Sequence, residues 1–278
     1  MIIATYNWSA VLPYSIGSVL RQTFRDFELL VVGDGCTDDS ERVVAAIDDR
    51  RVRWINLPEN SRHQSAPNNE GLRQARGELI AYLGHDDLWL PHHLESHVKT
   101  HDETNADVAY SLCLLVAAGE AYVWPSVPRP RDRSFSPPSG MTHRRAMTGE
   151  LGGWRDYRTI GTTPDVELWR RAYEAEKRFS FVPRMTAVKF PAGWRRNVYR
   201  TRPSHEQARW LARIDAEPDL ESTLLVNFIT ADEVPDGVPY RDLLRHLRTQ
   251  TIARIRRRFV IPSWRKRIDD RRRFKGLD

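Results

Sequence analysis

Cysteine is nearly absent from this 278-residue chain: Cys36 and Cys113 are the only two, and they lie far apart. That excludes a disulfide framework and fits a reducing compartment. No apolar run reaches the length of a membrane span. The opening stretch Met1–Ser9 has no basic segment followed by a cleavage site. Both absences lead to the expectation of a cytoplasmic protein. The chain has no Gly-x-Gly-x-x-Gly and no Walker lysine loop, which removes two common phosphate cradles. There is no internal repeat.

What is present is enough apolar residue, 40% of the chain, for one large α/β domain or one domain with an appendage. The net charge of +6 is unevenly spread. From Arg254 onward eleven Lys/Arg face three Asp, so the rest of the chain is slightly acidic. The basic character therefore belongs to the tail and says nothing about the main domain's ligand.

The first hundred residues alternate strand and helix patterns. Apolar runs at Ile2–Thr5, Phe27–Val32, Val52–Ile55 and Leu79–Leu83 read as strands. Helical spacing covers Pro13–Gln22, Asp39–Ile47 and Asn68–Arg76. This order predicts a mostly parallel sheet flanked by helices. Asp107–Leu115 reads as a further strand and Pro125–Gly140 as a loop, and "MTHRRAM" looks helical. "TPDVELWRRAYEAEKR" has the marks of a helix start, with Thr163 as cap, Pro164 at the first position and Asp165 and Glu167 in the first turn. Beyond Pro203 the pattern is mostly helical, with an apolar stripe from Leu243 to Phe259.

Three strand ends are polar: Ala4-Thr5-Tyr6, Gly33-Asp34-Gly35 and Gly84-His85-Asp86-Asp87. On one edge of a parallel sheet they form a crevice. Asp86 or Asp87 can cap the following helix, but two adjacent carboxylates at a buried strand end also suit a divalent cation bridging a diphosphate. With no phosphate loop, that metal would be the main neutraliser of phosphate charge.

Three segments in order, "IIATYNWSAVLPYSIGSVLRQTFRDFELLVVGDGCTDDS", "NNEGLRQARGELIAYLGHDDLWLPHHL" and "GGWRDYRTIGTTPDVELWRRA", resemble the family-2 glycosyltransferases of the GT-A fold over roughly residues 1–190. The resemblance implies a GT-A-like domain over residues 1–200, with a nucleotide-binding half to about residue 115 and an acceptor half to 200. A helical C-terminal extension fills 201–278. It also implies inverting transfer from a nucleotide-diphosphate sugar, a UDP-sugar favoured, with Mn2+ or Mg2+, to a glycan, lipid-linked or protein acceptor. Ala4, Thr5 and Tyr6 would line the nucleotide site, and Asp34 would accept a hydrogen bond from the base. Asp86 would face ribose or metal, and Asp87 would hold the metal. Asp165 would be the catalytic base, with Glu167 as competitor. The chain departs from the family at Gly33, Gly84 and Asn68, where acidic residues and an Arg are common. Arg62 or Arg73 would replace the lost Arg, and His85 would touch the ligand.

Other signals have plainer readings. His93, His97 and His101 at i, i+4, i+8 suit zinc or a solvated helix face. Cys36 reads as a small packing residue. Trp154 and Trp194 are core residues or platforms for an acceptor sugar. The Arg-rich tail suggests a peripheral segment that contacts an anionic membrane or, less readily, nucleic acid. The alternative function is a catalytically degenerate domain acting through that tail.

Overall fold

The computed structural model describes residues 1–116, 136–230 and 264–277. Three parallel strands open the fold: β1 (Ile2–Thr5), β2 (Leu29–Gly33) and β3 (Val52–Asn56), in spatial order 1-2-3. Helices α1 (Leu12–Leu20), α2 (Ser40–Ala45) and α3 (Ser65–Gln74) alternate with them. Period two divides the strands between two cores. Ile3, Leu29 and Val31 face α1 through Leu12, Ile16 and Val19. Ile2, Leu30 and Val32 join the opposite cluster with Trp154, Leu168 and Trp169.

The second sheet is mixed, in the order β4-β7-β6-β8-β5. Its strands are β4 (Leu79–Ala81), β5 (Leu88–Trp89), β6 (Val108–Leu115), β7 (Met141–Arg144) and β8 (Phe179–Lys189). Helix α4 (His93–Thr104) follows β5, α5 (Arg145–Leu151) follows β7, and α6 (Pro164–Glu174) precedes β8. A parallel bridge between Ile2 and Tyr82 and the bond from Leu83 N to Ile2 O (3.0 Å) join this sheet to β1. The strand-one and strand-four ends therefore lie side by side.

The helical reading of "MTHRRAM" is corrected: its first half is β7 and only its second half starts α5. Met141, Thr142 and His143 are all buried, because β7 has β4 on one edge and β6 on the other. Such a strand carries no polar alternation to announce it. Helices α7 (Val198–Thr201), α8 (His205–Ala216) and α9 (Leu220–Thr230) continue the fold. Trp210, Leu211, Ile214, Leu220 and Leu224 share a core with Leu88, Leu114, Met185 and Phe190, so the helical part past residue 200 is continuous with the sheet's core. The Leu243–Phe259 stripe lies outside the described residues, as does most of the Pro125–Gly140 loop. Among the described residues no helix is long and apolar enough to cross a membrane.

The histidine row is neither solvated nor a metal centre. His93, His97 and His101 are buried against the sheet. His93 Nδ1 bonds Thr186 Oγ1 (2.7 Å), His97 Nδ1 bonds Thr142 Oγ1 (3.0 Å), and His101 Nε2 reaches the same Thr142 oxygen (2.9 Å). His93 stacks on Trp89 at 4.1 Å between ring centroids. Burial is the main force holding their pKa values down, His97 to about 3, and it does the same to His143 on β7, to about 4. These folded values lie below the unfolded value of about 6.5, so the unfolded chain binds more protons between the two. The contribution to stability is whole above about pH 6.5 and is lost as pH falls. At pH 5 each of these two histidines is expected to cost about 2 kcal/mol. Urea midpoints at pH 7 and pH 5 check this, and equal midpoints would contradict it.

Candidate active site

A cavity of about 1030 Å³ opens at the carboxyl ends of β1, β2 and β4. Ala4, Thr5 and Tyr6 line it, as expected of the β1 end, and so does Asp34, one residue past β2. Asp34 is buried, and its Oδ1 accepts from Ser61 N (3.0 Å). Burial raises its carboxyl above the ordinary range, against the pull of the Ser61 and Arg62 amides. Gly33 stands where the family often has an acid. A Cβ there would sit 2.5 Å from Asn56 Oδ1 and 2.7 Å from the Trp54 ring, so this strand end has no space for a second carboxylate.

The β4 end divides its acids between two environments. The turn closed by Asp87 N to Gly84 O (2.9 Å) sends the two side chains different ways. Asp86 lines the cavity, and burial first, then the Asp87 charge, raises its carboxyl. Asp87 is fully buried and does not line it. Its Oδ2 accepts from Lys189 Nζ (2.8 Å) and Ser139 Oγ (2.5 Å), and its Oδ1 from Phe190 N (3.0 Å). The expectation that Asp87 holds the metal is thus corrected: both its oxygens are committed to the end of β8 and to Ser139. Burial alone would lower the Lys189 ammonium, but Asp87 and Asp86 outweigh it and raise it. Lys189 was missed in the sequence reading, although a lone Lys closing the apolar run "TAVKF" is the available signal.

Among the described residues no three His, Cys, Asp or Glu side chains converge on one point, so there is no preformed metal cage. Mg2+ accepts one or two protein carboxylates plus phosphate oxygens. Asp86 supplies one carboxylate facing the cavity, which fits a cation carried in with a diphosphate.

The remaining candidates separate cleanly. Asp165, in the first turn of α6, lines the cavity. Glu167 does not: it is 1% exposed and held by Arg155 Nη1 (3.1 Å) and Arg171 Nη2 (2.9 Å). Pro164 opens α6 as expected, but the Thr163 side chain makes no capping bond. His63, also missed, lines the cavity and stacks on Tyr157 at 4.9 Å. Burial lowers its pKa to about 4 despite the Asp165 charge, so it is neutral at pH 7. His85 lines the cavity with its ring against Trp8 (5.2 Å) and Tyr199 (5.9 Å), and burial keeps it neutral too.

Arg73 is a correction. It is exposed, paired to Glu70 at 2.7 Å, and lines a separate cavity with Asn69 and Arg145. Arg62 is the one of the two at the main cavity. Trp154 is buried core, whereas Trp194 is exposed. Cys36 packs beside β1, its sulfur accepting from Asn7 N (3.3 Å).

The tail also departs from expectation. Trp264–Lys275 is a helix that packs on α7 and the Ala192–Trp194 turn. Arg271, Arg272 and Lys275 line the cavity. This part of the tail is not peripheral; Arg254–Ser263 lies outside the described residues.

The comparisons agree with this architecture. The family profile "Glycosyl transferase family 2" matches residues 1–145, more than half of the chain. The chain is 31% identical over 110 residues to the UDP-Glc:alpha-D-GlcNAc-diphosphoundecaprenol beta-1,3-glucosyltransferase WfgD of Escherichia coli, covering 40% of this chain and 43% of WfgD. It is 29% identical over 184 residues to the putative glycosyltransferase EpsE of Bacillus subtilis, covering 63% and 66%. An uncharacterized glycosyltransferase of Nostoc is 36% identical over 100 residues, 36% of this chain and 31% of that protein. The chain thus spans less than half the length of WfgD and of the Nostoc protein. The fold is similar to that of TarS from S. aureus, solved over residues 1–349 in complex with UDP-GlcNAc: TM-score 0.61, 21% identity, covering 82% of this chain and 70% of that one.

Proposed function

The chain belongs to glycosyl transferase family 2, and from that premise we propose that it transfers a sugar from a nucleotide-diphosphate donor to an acceptor hydroxyl with inversion. The observation that carries this is the convergence of Asp34, Asp86 and Asp165, from three separate elements, on one cavity at the strand ends. The base and ribose lie along Thr5, Tyr6 and Asp34, and the diphosphate lies toward Asp86. The UDP-sugars named for WfgD and for the TarS complex make UDP the first nucleotide to test. A hydroxyl on a lipid-linked glycan is the first acceptor to test, from the name of WfgD.

In this reading the acceptor oxygen attacks the anomeric carbon from the face opposite the diphosphate. A new C–O bond forms as the bond to the diphosphate breaks, and the diphosphate leaves with the electron pair. Asp165 takes the acceptor's proton. His63 and His85, both neutral, add no competing charge. A divalent cation, when bound at Asp86, stabilises the charge on the leaving group as a Lewis acid. Arg155 and Arg171 hold the Glu167 side chain in the core, away from the cavity.

A thermal-shift panel of UDP-, GDP- and dTDP-sugars, with and without Mn2+, tests the donor class. A donor at 100 times its Kd stabilises by about 2.7 kcal/mol. For a chain of this size that is a rise in Tm of about 5–10 °C. The expected result is one nucleotide class giving that rise, larger with Mn2+ than without. No rise with any sugar nucleotide contradicts the donor assignment.

A further inference from the structure

We propose that the C-terminal helix is a diphosphate clamp, with Arg271, Arg272 and Lys275 binding the donor's diphosphate across the cavity from Asp86. The clamp rests on the reading of the cavity as a donor site and adds a binding element to it.

The need for such an element is already visible. The chain has no glycine-rich phosphate loop, Asn68 stands where the family often carries an Arg, and Arg73 is turned away and paired to Glu70. Of the two acids at the β4 end only Asp86 lines the cavity, and among the described residues no cluster of three metal-ligating side chains forms, which leaves a divalent cation with few protein ligands. A nucleoside diphosphate therefore requires charge from elsewhere. The cavity wall carries seven Lys/Arg and three Asp, which favours a multiply charged anion.

The helix is held where its cations count. Phe274 O accepts from Asn197 N (2.9 Å), and Arg272 Nη1 donates to Arg62 O. Gly276, at φ 84°, closes the helix with Leu277 N donating to Arg272 O (2.9 Å), a C-cap that needs the left-handed region. Arg271 and Lys275 are four apart and share one face. Cations are favoured at a helix C-terminus by the dipole alone, yet that does not explain why these face the cavity. Among the described residues none of Arg271, Arg272 and Lys275 forms an ion pair. Arginines elsewhere do, as in Arg42–Asp39, Arg158–Asp156 and Arg213–Glu217. Burial pushes the Lys275 ammonium below its ordinary value while Asp86 and Asp165 pull it back, so it lies within electrostatic reach of both. Two guanidinium groups and an ammonium with no carboxylate partner among the described residues match the oxygens of a diphosphate.

The test is calorimetry on the full chain with UDP and with inorganic pyrophosphate, both with Mg2+ present. The double variant Arg271→Ala/Lys275→Ala removes two cations and leaves the Arg272 anchor in place. Lys275→Ala alone serves if the double variant is unstable, and Arg273→Ala, on the same helix but not at the cavity, is the control. The clamp is expected to make the double variant bind both probes about 10–100-fold more weakly, with Tm and the Arg273→Ala affinity unchanged. UDP bound equally by wild type and double variant overturns the clamp and leaves the donor reading standing. Pyrophosphate bound through these cations without UDP binding keeps the clamp and overturns the donor reading. A wild type that binds neither probe overturns both.

Discussion

Asp165→Asn is expected to lower kcat by about 10²–10⁴-fold while leaving donor affinity within a few-fold of wild type. The substitution keeps the size of the side chain and much of its hydrogen bonding, and removes its basicity. The donor contacts at Asp34 and Asp86 are untouched, so the loss falls on turnover. The competitor is Glu167, and the structure separates the two. Glu167 lies in the core between Arg155 and Arg171, so Glu167→Gln is expected to lower stability by leaving two arginines without their partner, with a much smaller effect on kcat in the folded fraction. Steady-state kinetics of both variants decides the matter. Near-normal kcat in Asp165→Asn together with abolished kcat in Glu167→Gln would transfer the role to Glu167.

The second large effect is structural. Lys189→Met is expected to destabilise the protein by about 3–5 kcal/mol, because it leaves the buried Asp87 carboxylate without its cation. Lys189 closes the last strand, and its ammonium holds the Asp87 oxygen that Ser139 also reaches. The pair ties the turn after β4 to the end of β8 and so fixes the direction in which Asp86 faces. Replacing both partners, Asp87→Asn with Lys189→Met, is expected to recover most of the loss, since removing a buried pair together is far cheaper than breaking it. Urea unfolding of the two single variants and the double variant measures the coupling. A loss under about 1 kcal/mol in Lys189→Met would show that water, not the ammonium, satisfies Asp87.

The pair also shows where sequence reading stops. Apolar runs with polar ends placed β1, β2 and the β4 end together, and Thr5, Asp34, Asp86 and Asp165 all reach the cavity. Those signals are local: a strand's period and the polarity of its last residues are written in adjacent positions. Which of two adjacent acids faces the ligand is not. That depends on the Gly84–Asp87 turn and on Lys189, which arrives 102 residues later. Arg73 was misplaced because only the packing of α3 shows that its one arginine turns away to Glu70, while Arg62, ahead of the helix, lines the cavity. The histidine row read as solvated or as zinc because its threonine partners, Thr142 and Thr186, lie on distant strands. The tail read as peripheral for the same reason: the cavity its cations line is assembled from strand and helix ends more than a hundred residues earlier in the chain.

The most direct measurement of the central claim, that this cavity is the donor site, is a crystal structure of the full chain with UDP and Mn2+. The uracil is expected by Asp34 and the β1 end. The metal is expected on Asp86 and the diphosphate between Asp86 and the cations of the C-terminal helix, with Asp165 facing the vacant sugar position. UDP seated elsewhere, or a metal held by Asp87 with Lys189 displaced, would contradict it.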